Sequence, residues 1–228
     1  MPYLLEHMNR DYSIAPLGDH SVVIEWKQEI DPAIHQRVMS VFYHLQSLQL
    51  PYILDLIPAY ASLTIIYSSA EIPPIEKLIS EVTPNVSITP RLLEIPVCYD
   101  PSLGLDIEAM AVQKGLSVDL IIALHTQQIY TVYMLGFLPG FPYMGKVDDR
   151  LATPRLKKPR LKVPAGSVGI AGSQTGIYSM TSPGAGILSG KRRSGCLILI
   201  MTCLVFVIPD IRFNLYRYLW MIFIKCAK

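Results

Sequence analysis

Cysteine is nearly missing where it could build anything: of four, only Cys98 precedes the last 33 residues, and no two share zinc or redox spacing. That excludes a cysteine-built metal site or disulfide framework and leaves Cys98 as a small apolar side chain. An excess of charge of one sign is missing too. Twenty Lys and Arg against 18 Asp and Glu give a formal net charge of +2, too little for nucleic acid or an acidic membrane to be the main partner. The opening "MPYLLEHMNRDYSIAPLGD" carries Glu6, His7, Arg10 and Asp11 in place of a secretory apolar core, so no signal peptide is expected and the location predicted is cytoplasmic. A small-molecule or protein partner remains.

With 228 residues the chain can form two domains, each with a core. "HSVVIEW" (20–26) reads as a strand, and "DPAIHQRVMSVFYHLQSL" (31–48) switches to helical spacing with Asp31 as N-cap and Pro32 at the first turn. "YILDLIPAY" and "SLTIIYSS" are β-branched runs joined tightly, and "PPIEKLISEV" opens a short helix. The order βαββα predicts a two-layer α/β sandwich domain over 1–90. Beyond the proline-bearing "SITPRLLEIPVCYD", residues 104–126 repeat a helical pattern, with starts at Asp106 and Ser117 and a stop at Gly115. From Tyr130 to Pro183 short apolar pieces punctuated by Gly and Pro predict a loop-rich β-barrel or sandwich. The fold class is therefore α+β.

"GFLPGFPYMG" (136–145) holds three glycines, two prolines, two phenylalanines and a tyrosine. Pro139, Gly140 and Pro142 shape its backbone, and Phe137, Phe141 and Tyr143 supply apolar walls, either for a binding cleft or as a cover over a core. In "TPRLKKPRLKVPAGSVGIAGSQTGIY", Arg155 and Arg160 flank loop-stiffening prolines, and guanidinium groups held this way can grip a carboxylate or phosphate; the alternative is a solvated basic loop. "PAGSVGIAGSQTG" offers small residues and backbone amides that can approach an oxyanion, without a Walker or dinucleotide pattern. His125, near a helix end, can serve as general base or as a packed cap. Asp148 and Asp149, flanking Arg150, read as surface pairs.

Together "GDHSVVIEW", "IPAYASL", "EIPVCYD", "LHT", "YMLGFLPGFPYMG", "RLATPRLKKPRLKVPAGSVGIAGSQTGIY" and "SPG" resemble, in order from about Tyr12 to Gly184, the family of the 5-oxoprolinase B subunit, also called KipI-like or allophanate hydrolase subunit 1. The resemblance implies a small N-terminal α/β domain and a cyclophilin-like β-barrel domain, here assigned to 91–184. It implies ATP-dependent opening of 5-oxoproline to glutamate with subunits A and C, ATP being used at the level of the complex; the alternative is inhibition of a sporulation-type histidine kinase. It implies a cleft formed by His125, Arg155 and Arg160 as catalytic residues; no metal is expected, since no cysteine pair has ligand spacing. Phe137, Pro139, Gly140, Phe141, Tyr143, Pro164, Gly166, Ser167, Gln174 and Tyr178 would bind substrate.

The resemblance stops at Gly184, where the family continues with a glycine-tryptophan pair and a turn of the form IGxTPLxLFD. Residues 196–228 instead contain no glycine, three cysteines and one acid, Asp210, and the apolar run Cys196 to Ile208 is 13 residues, short of the roughly 20 that span a bilayer. Permitted codons for Gly184 to Ile198, with one base restored beside Ala185, translate as GGWNIIGKTPLGLFD. The segment 185–228 thus reads as a frame-shifted apolar tail. A barrel incomplete after residue 184, with exposed edges, poor solubility and impaired activity, is the expectation. Met8 reads as an alternative start.

Overall fold

The computed structural model describes residues 11–68, 74–80, 82, 91–192 and 222–227, with the backbone alone at 91–94, 96, 192 and 222–227. The expectations about Met8 and about 193–221 lie outside the described residues. Two compact units divide the chain, Met1–Ile88 and Thr89–Lys228.

In the first unit, strands β1 (Tyr12–Pro16), β2 (Ser21–Trp26), β3 (Ile53–Pro58) and β4 (Ser62–Tyr67) form an antiparallel sheet in the order β1-β2-β4-β3. Helix α1 (Pro32–Leu48) starts where Asp31 accepts from the amides of Ala33 (2.6 Å) and Ile34 (3.4 Å), an N-cap with proline in the first turn. Alternation in β2 and β4 buries Val22, Ile24, Trp26, Leu63, Ile65 and Tyr67, and the α1 stripe buries Val38, Phe42 and Leu45. Helix α2 (Ile75–Ser80) buries Ile75 and Ile79. The order is ββαββα, so one strand is added to the expected pattern. β1 escapes a periodicity reading because Pro16 and a turn through Gly18 (φ 76°) cut it to a few alternating positions.

The second unit opens with β5 (Arg91–Cys98), read in the sequence as a proline-bearing connection; Pro96 removes one amide donor and the strand pairs regardless. Helices α3 (Ile107–Lys114) and α4 (Val118–Thr126) follow, divided by Gly115 in the left-handed region (φ 63°), with Ser117 capping the Leu120 amide at 3.2 Å. Strands β6 (Ile129–Leu135), β7 (Pro142–Gly145), β8 (Arg160–Val163), β9 (Ser167–Ala171), β10 (Gln174–Ile177), β11 (Ser182–Gly184), β12 (Ile187–Arg192) and β13 (Ile222–Ala227) complete it. A barrel closes in the order β10-β7-β6-β13-β5-β12-β9, and β8 pairs with β11 beside it.

The described barrel takes strands from beyond residue 184, where the barrel domain is expected to end. β12 pairs antiparallel with β9 and β5, and β13 runs parallel to β5 and antiparallel to β6. The physical reason is that strand pairing is made by the backbone. The apolar stretch "IFIKCA" has the propensity to occupy a sheet position whatever the origin of its sequence. Among the described residues no helix is long and apolar enough to cross a membrane.

Candidate active-site cleft

The hairpin loop between β6 and β7 is shaped by its own backbone. Phe137 has φ 63°, unusual for a residue with a side chain, and Gly140 has φ 71°. The Leu138 amide donates to the Gly136 carbonyl (2.7 Å) and the Phe141 amide to the Leu138 carbonyl (3.0 Å). This folding stacks rings edge to face: Phe137 on Phe141 at 5.6 Å, Phe141 on Tyr143 at 4.9 Å and on Tyr178 at 5.3 Å between centroids. Phe141 and Tyr178 are buried with Val163 and Leu188, whereas Phe137 is 60% exposed at the rim. The loop therefore both covers core and walls a cleft.

That cleft measures about 290 Å³. Phe137, Phe141, Tyr143 and Tyr178 form its walls, Gly169, Gly176, Gly184 and Gly186 its floor, and Arg155 and Gln174 are its polar side chains. The floor tolerates nothing larger than glycine at two points. A Cβ at Gly176 would lie 2.7 Å from Phe141, and one at Gly184 would lie 2.5 Å from the Tyr178 hydroxyl. The Leu156 amide donates to the Ala185 carbonyl (2.8 Å), which ties the basic loop across the cleft and leaves the neighbouring Arg155 exposed. Arg155 has no hydrogen bond or ion pair among the described residues. Burial pushes the Tyr143 phenol up from its ordinary value, and the Arg155 guanidinium beside it pulls the other way.

Six of the sequence-expected residues thus line the cleft: Phe137, Phe141, Tyr143, Arg155, Gln174 and Tyr178. Pro139 and Gly140 shape the loop behind Phe137. Arg160 stands elsewhere, on β8, with Nη2 2.5 Å from Oδ1 of Asp106. The other Asp106 oxygen accepts the Leu188 amide at 2.7 Å, and the Asp106 amide returns a bond to the Leu188 carbonyl at 3.0 Å. Asp106 marks the start of α3 as expected, yet its carboxylate makes no cap bond because it is engaged with Arg160 and β12.

Pro164 and Gly166 lie in the turn from β8 to β9 and Ser167 opens β9, all three away from the cleft lining. The amides there are not available to an oxyanion. Ala165 donates to Thr181 Oγ1 (3.2 Å), Gly166 to the Tyr178 carbonyl (2.7 Å) and Ser167 to the Pro164 carbonyl (3.2 Å).

His125, expected in the cleft as a base, is fully buried on α4. Burial pushes its pKa down to about 4, so the imidazole is neutral. It lies behind the cleft, against Tyr99, Tyr130 and Thr175. Asp148 pairs with Arg150 through two contacts of 2.8 Å, which hold its carboxyl down at about 2, and Asp149 pairs with Lys146 at 2.7 Å. Cys98 is half-buried. Among the described residues no cluster of three His, Cys, Asp or Glu side chains could hold a metal ion.

Residues 12–186 match the family of the carboxyltransferase domain, subdomain C and D. The 5-oxoprolinase B subunit of Bacillus subtilis (strain 168) is 37% identical over 196 residues, covering 79% of this chain and 82% of that protein. The protein of that name from Escherichia coli O157:H7 is 37% identical over 179 residues, covering 76% and 81%. The crystal structure of TTHA0988 superposes with a TM-score of 0.72 at 30% identity over 91% of this chain, which spans only 39% of that longer chain. A family match across most of the sequence, and relatives this similar over most of their own length, mean that the chain belongs to the 5-oxoprolinase B-subunit family of carboxyltransferase-domain proteins.

Proposed function

We propose that this chain acts as the B subunit of an ATP-dependent 5-oxoprolinase and that its cleft receives 5-oxoproline. The single observation that carries the reading is the 37% identity to the 5-oxoprolinase B subunit across 82% of the Bacillus subtilis protein. The cleft supports it chemically. About 290 Å³ is at the small end of ligand pockets and suits one compact ring. The aromatic walls would sandwich the lactam. Arg155, exposed and otherwise unengaged, would take the carboxylate in a two-pronged geometry, and the Gln174 carboxamide can donate to the lactam oxygen and accept from its N–H.

The net change adds water across the lactam C–N bond and is driven by hydrolysis of ATP to ADP and phosphate. The cleft has one free guanidinium and no glycine-rich phosphate loop, a poor fit to a triphosphate. In this reading ATP acts at the level of the complex, subunits A and C are the partners, and the cytoplasm is the proposed location. The histidine-kinase reading gains no support from these relatives.

Reconstitution with A and C subunits tests the proposal: 5-oxoproline-dependent ATP hydrolysis is expected, and its absence with a folded chain rejects it. A parallel assay of the chain carrying GGWNIIGKTPLGLFD in frame from Gly184 onward tests impairment by the tail. Equal kcat in the two discards that expectation.

A further inference from the structure

Behind the cleft floor a hydrogen-bonded series joins four parts of the barrel unit. The Tyr99 hydroxyl, just past β5, is 2.6 Å from Nδ1 of His125, and Nε2 of His125 is 3.0 Å from Oγ1 of Thr175. Thr175 Oγ1 is in turn 3.2 Å from the Gly169 carbonyl oxygen. All three side chains are buried, and Thr175 and Gly169 lie on β10 and β9, the strands that back the cleft. Direction follows from the last member. A carbonyl can only accept, so the Thr175 hydroxyl donates to it and is left to accept from His125. Nε2 must then carry the imidazole proton, and the bare Nδ1 accepts from Tyr99. The Tyr130 hydroxyl fixes the same residue from its backbone side, donating to the His125 carbonyl at 2.9 Å.

We propose that His125 is a positioning residue: through Tyr99 on one side and Thr175 on the other, it pins β10 against β9 and so sets where the neighbouring Gln174 is presented in the cleft. In its substrate, this inference rests on the reading of the cleft as a 5-oxoproline site. The geometry explains why a histidine is used. An imidazole with one proton is a donor at one end and an acceptor at the other, so it can pass a fixed polarity between two hydroxyls without adding a charge to the barrel interior. Gln174 and Thr175 are adjacent, and on a strand their side chains point to opposite faces, so holding Thr175 inward orients Gln174 toward the ligand.

The tautomer is measured directly by two-bond proton–nitrogen NMR on the chain labelled with ¹⁵N-histidine. The expected result is a His125 signal of the Nε2–H form that does not titrate between about pH 5 and 8. An Nδ1–H form, or a signal titrating in that range, overturns the proposal. In the reconstituted complex, Thr175→Val is expected to raise KM for 5-oxoproline about tenfold with a smaller change in kcat, Tyr99→Phe to raise it less, and Thr175→Ser to restore the wild-type value. Wild-type KM in folded Thr175→Val overturns the positioning role, as does a Thr175→Ser variant as impaired as the valine one. A wild-type complex with no turnover defeats the substrate reading, and the tautomer then decides the hydrogen-bonded series by itself.

Discussion

Arg155 and Arg160 sit five positions apart in one basic, proline-stiffened segment and invite the same expectation, yet they occupy opposite situations. Arg155 is exposed at the cleft and free of partners among the described residues. Arg160 is three-quarters buried, with Asp106 on Nη2, and Asp106 is tied onward to the backbone of β12. A guanidinium neutralised by a carboxylate at 2.5 Å would have to give up that pair to hold a substrate anion. One arginine is available and the other is engaged, and the difference is set by a residue 54 positions away. Charge in a loop is a resource only until something in the fold claims it.

The largest expected effect follows from the free member. Arg155→Ala should lower kcat/KM for 5-oxoproline about 100-fold, the value of a charge-assisted double contact, and Arg155→Lys should recover only part of it. Steady-state kinetics of the reconstituted complex measure this; an unchanged value would move the anion to another group and erase the contrast.

Next comes the engaged pair. Asp106→Ala strands both the Arg160 guanidinium and the Leu188 amide, for a loss of about 2 kcal/mol after allowing for the 26% exposure of Arg160. Thermal unfolding should show it as a fall of about 5 °C, and no shift would mean the pair contributes nothing.

Buried histidines extend the contrast from cations to groups that the fold keeps neutral. Burial lowers both His35 and His125 to about 4. The unfolded chain, with ordinary values near 6.5, binds more protons between those limits. Stability is therefore complete above about pH 6.5 and is lost as pH falls toward 4, by up to about tenfold in the unfolding constant per pH unit and per histidine. Tyr99, Tyr130 and Thr175 face His125 and none is charged near neutral pH, so these neighbours leave the trend intact. Denaturant titrations at pH 7 and 5.5 check it, and equal midpoints contradict it.

The smallest effect sharpens the arginine comparison most. Arg160→Ala and Asp106→Asn should be non-additive, the double variant being little worse than the worse single one, with a coupling of about 1 kcal/mol. Strict additivity would show that Arg160 acts independently of Asp106.

How much of the molecule is legible in its sequence depends on the separation of the interacting parts. Asp31 with Pro32, Gly115 and Ser117 act on backbone groups within a turn or two, so their helices can be read directly. The aromatic loop is legible too, because glycine and proline dictate its backbone locally. By contrast, the parallel pairing of Ile222 with Arg91 joins residues whose separation no periodicity encodes. The amides of Ala165 and Gly166 look available in the sequence only because their partners, Thr181 and Tyr178, are settled by the fold. Thr175 and Tyr99 escape a sequence reading for the same reason. A threonine in "SQTG" and a tyrosine in "VCYD" have no spacing in common until the barrel brings them to one histidine.

Gly176 and Gly184 carry a consequence for how such a cleft can diverge. Any side chain added at either point meets Phe141 or Tyr178, the rings that form the opposing wall. Floor and wall therefore cannot be altered one at a time: a mutation beneath the ligand is also a mutation beside it. Routes to a larger or differently charged ligand are confined to the rim, where Phe137, Arg155 and Gln174 can be exchanged singly. Among descendants of this scaffold, preference for a substrate should wander at three rim positions while the glycine floor stays still.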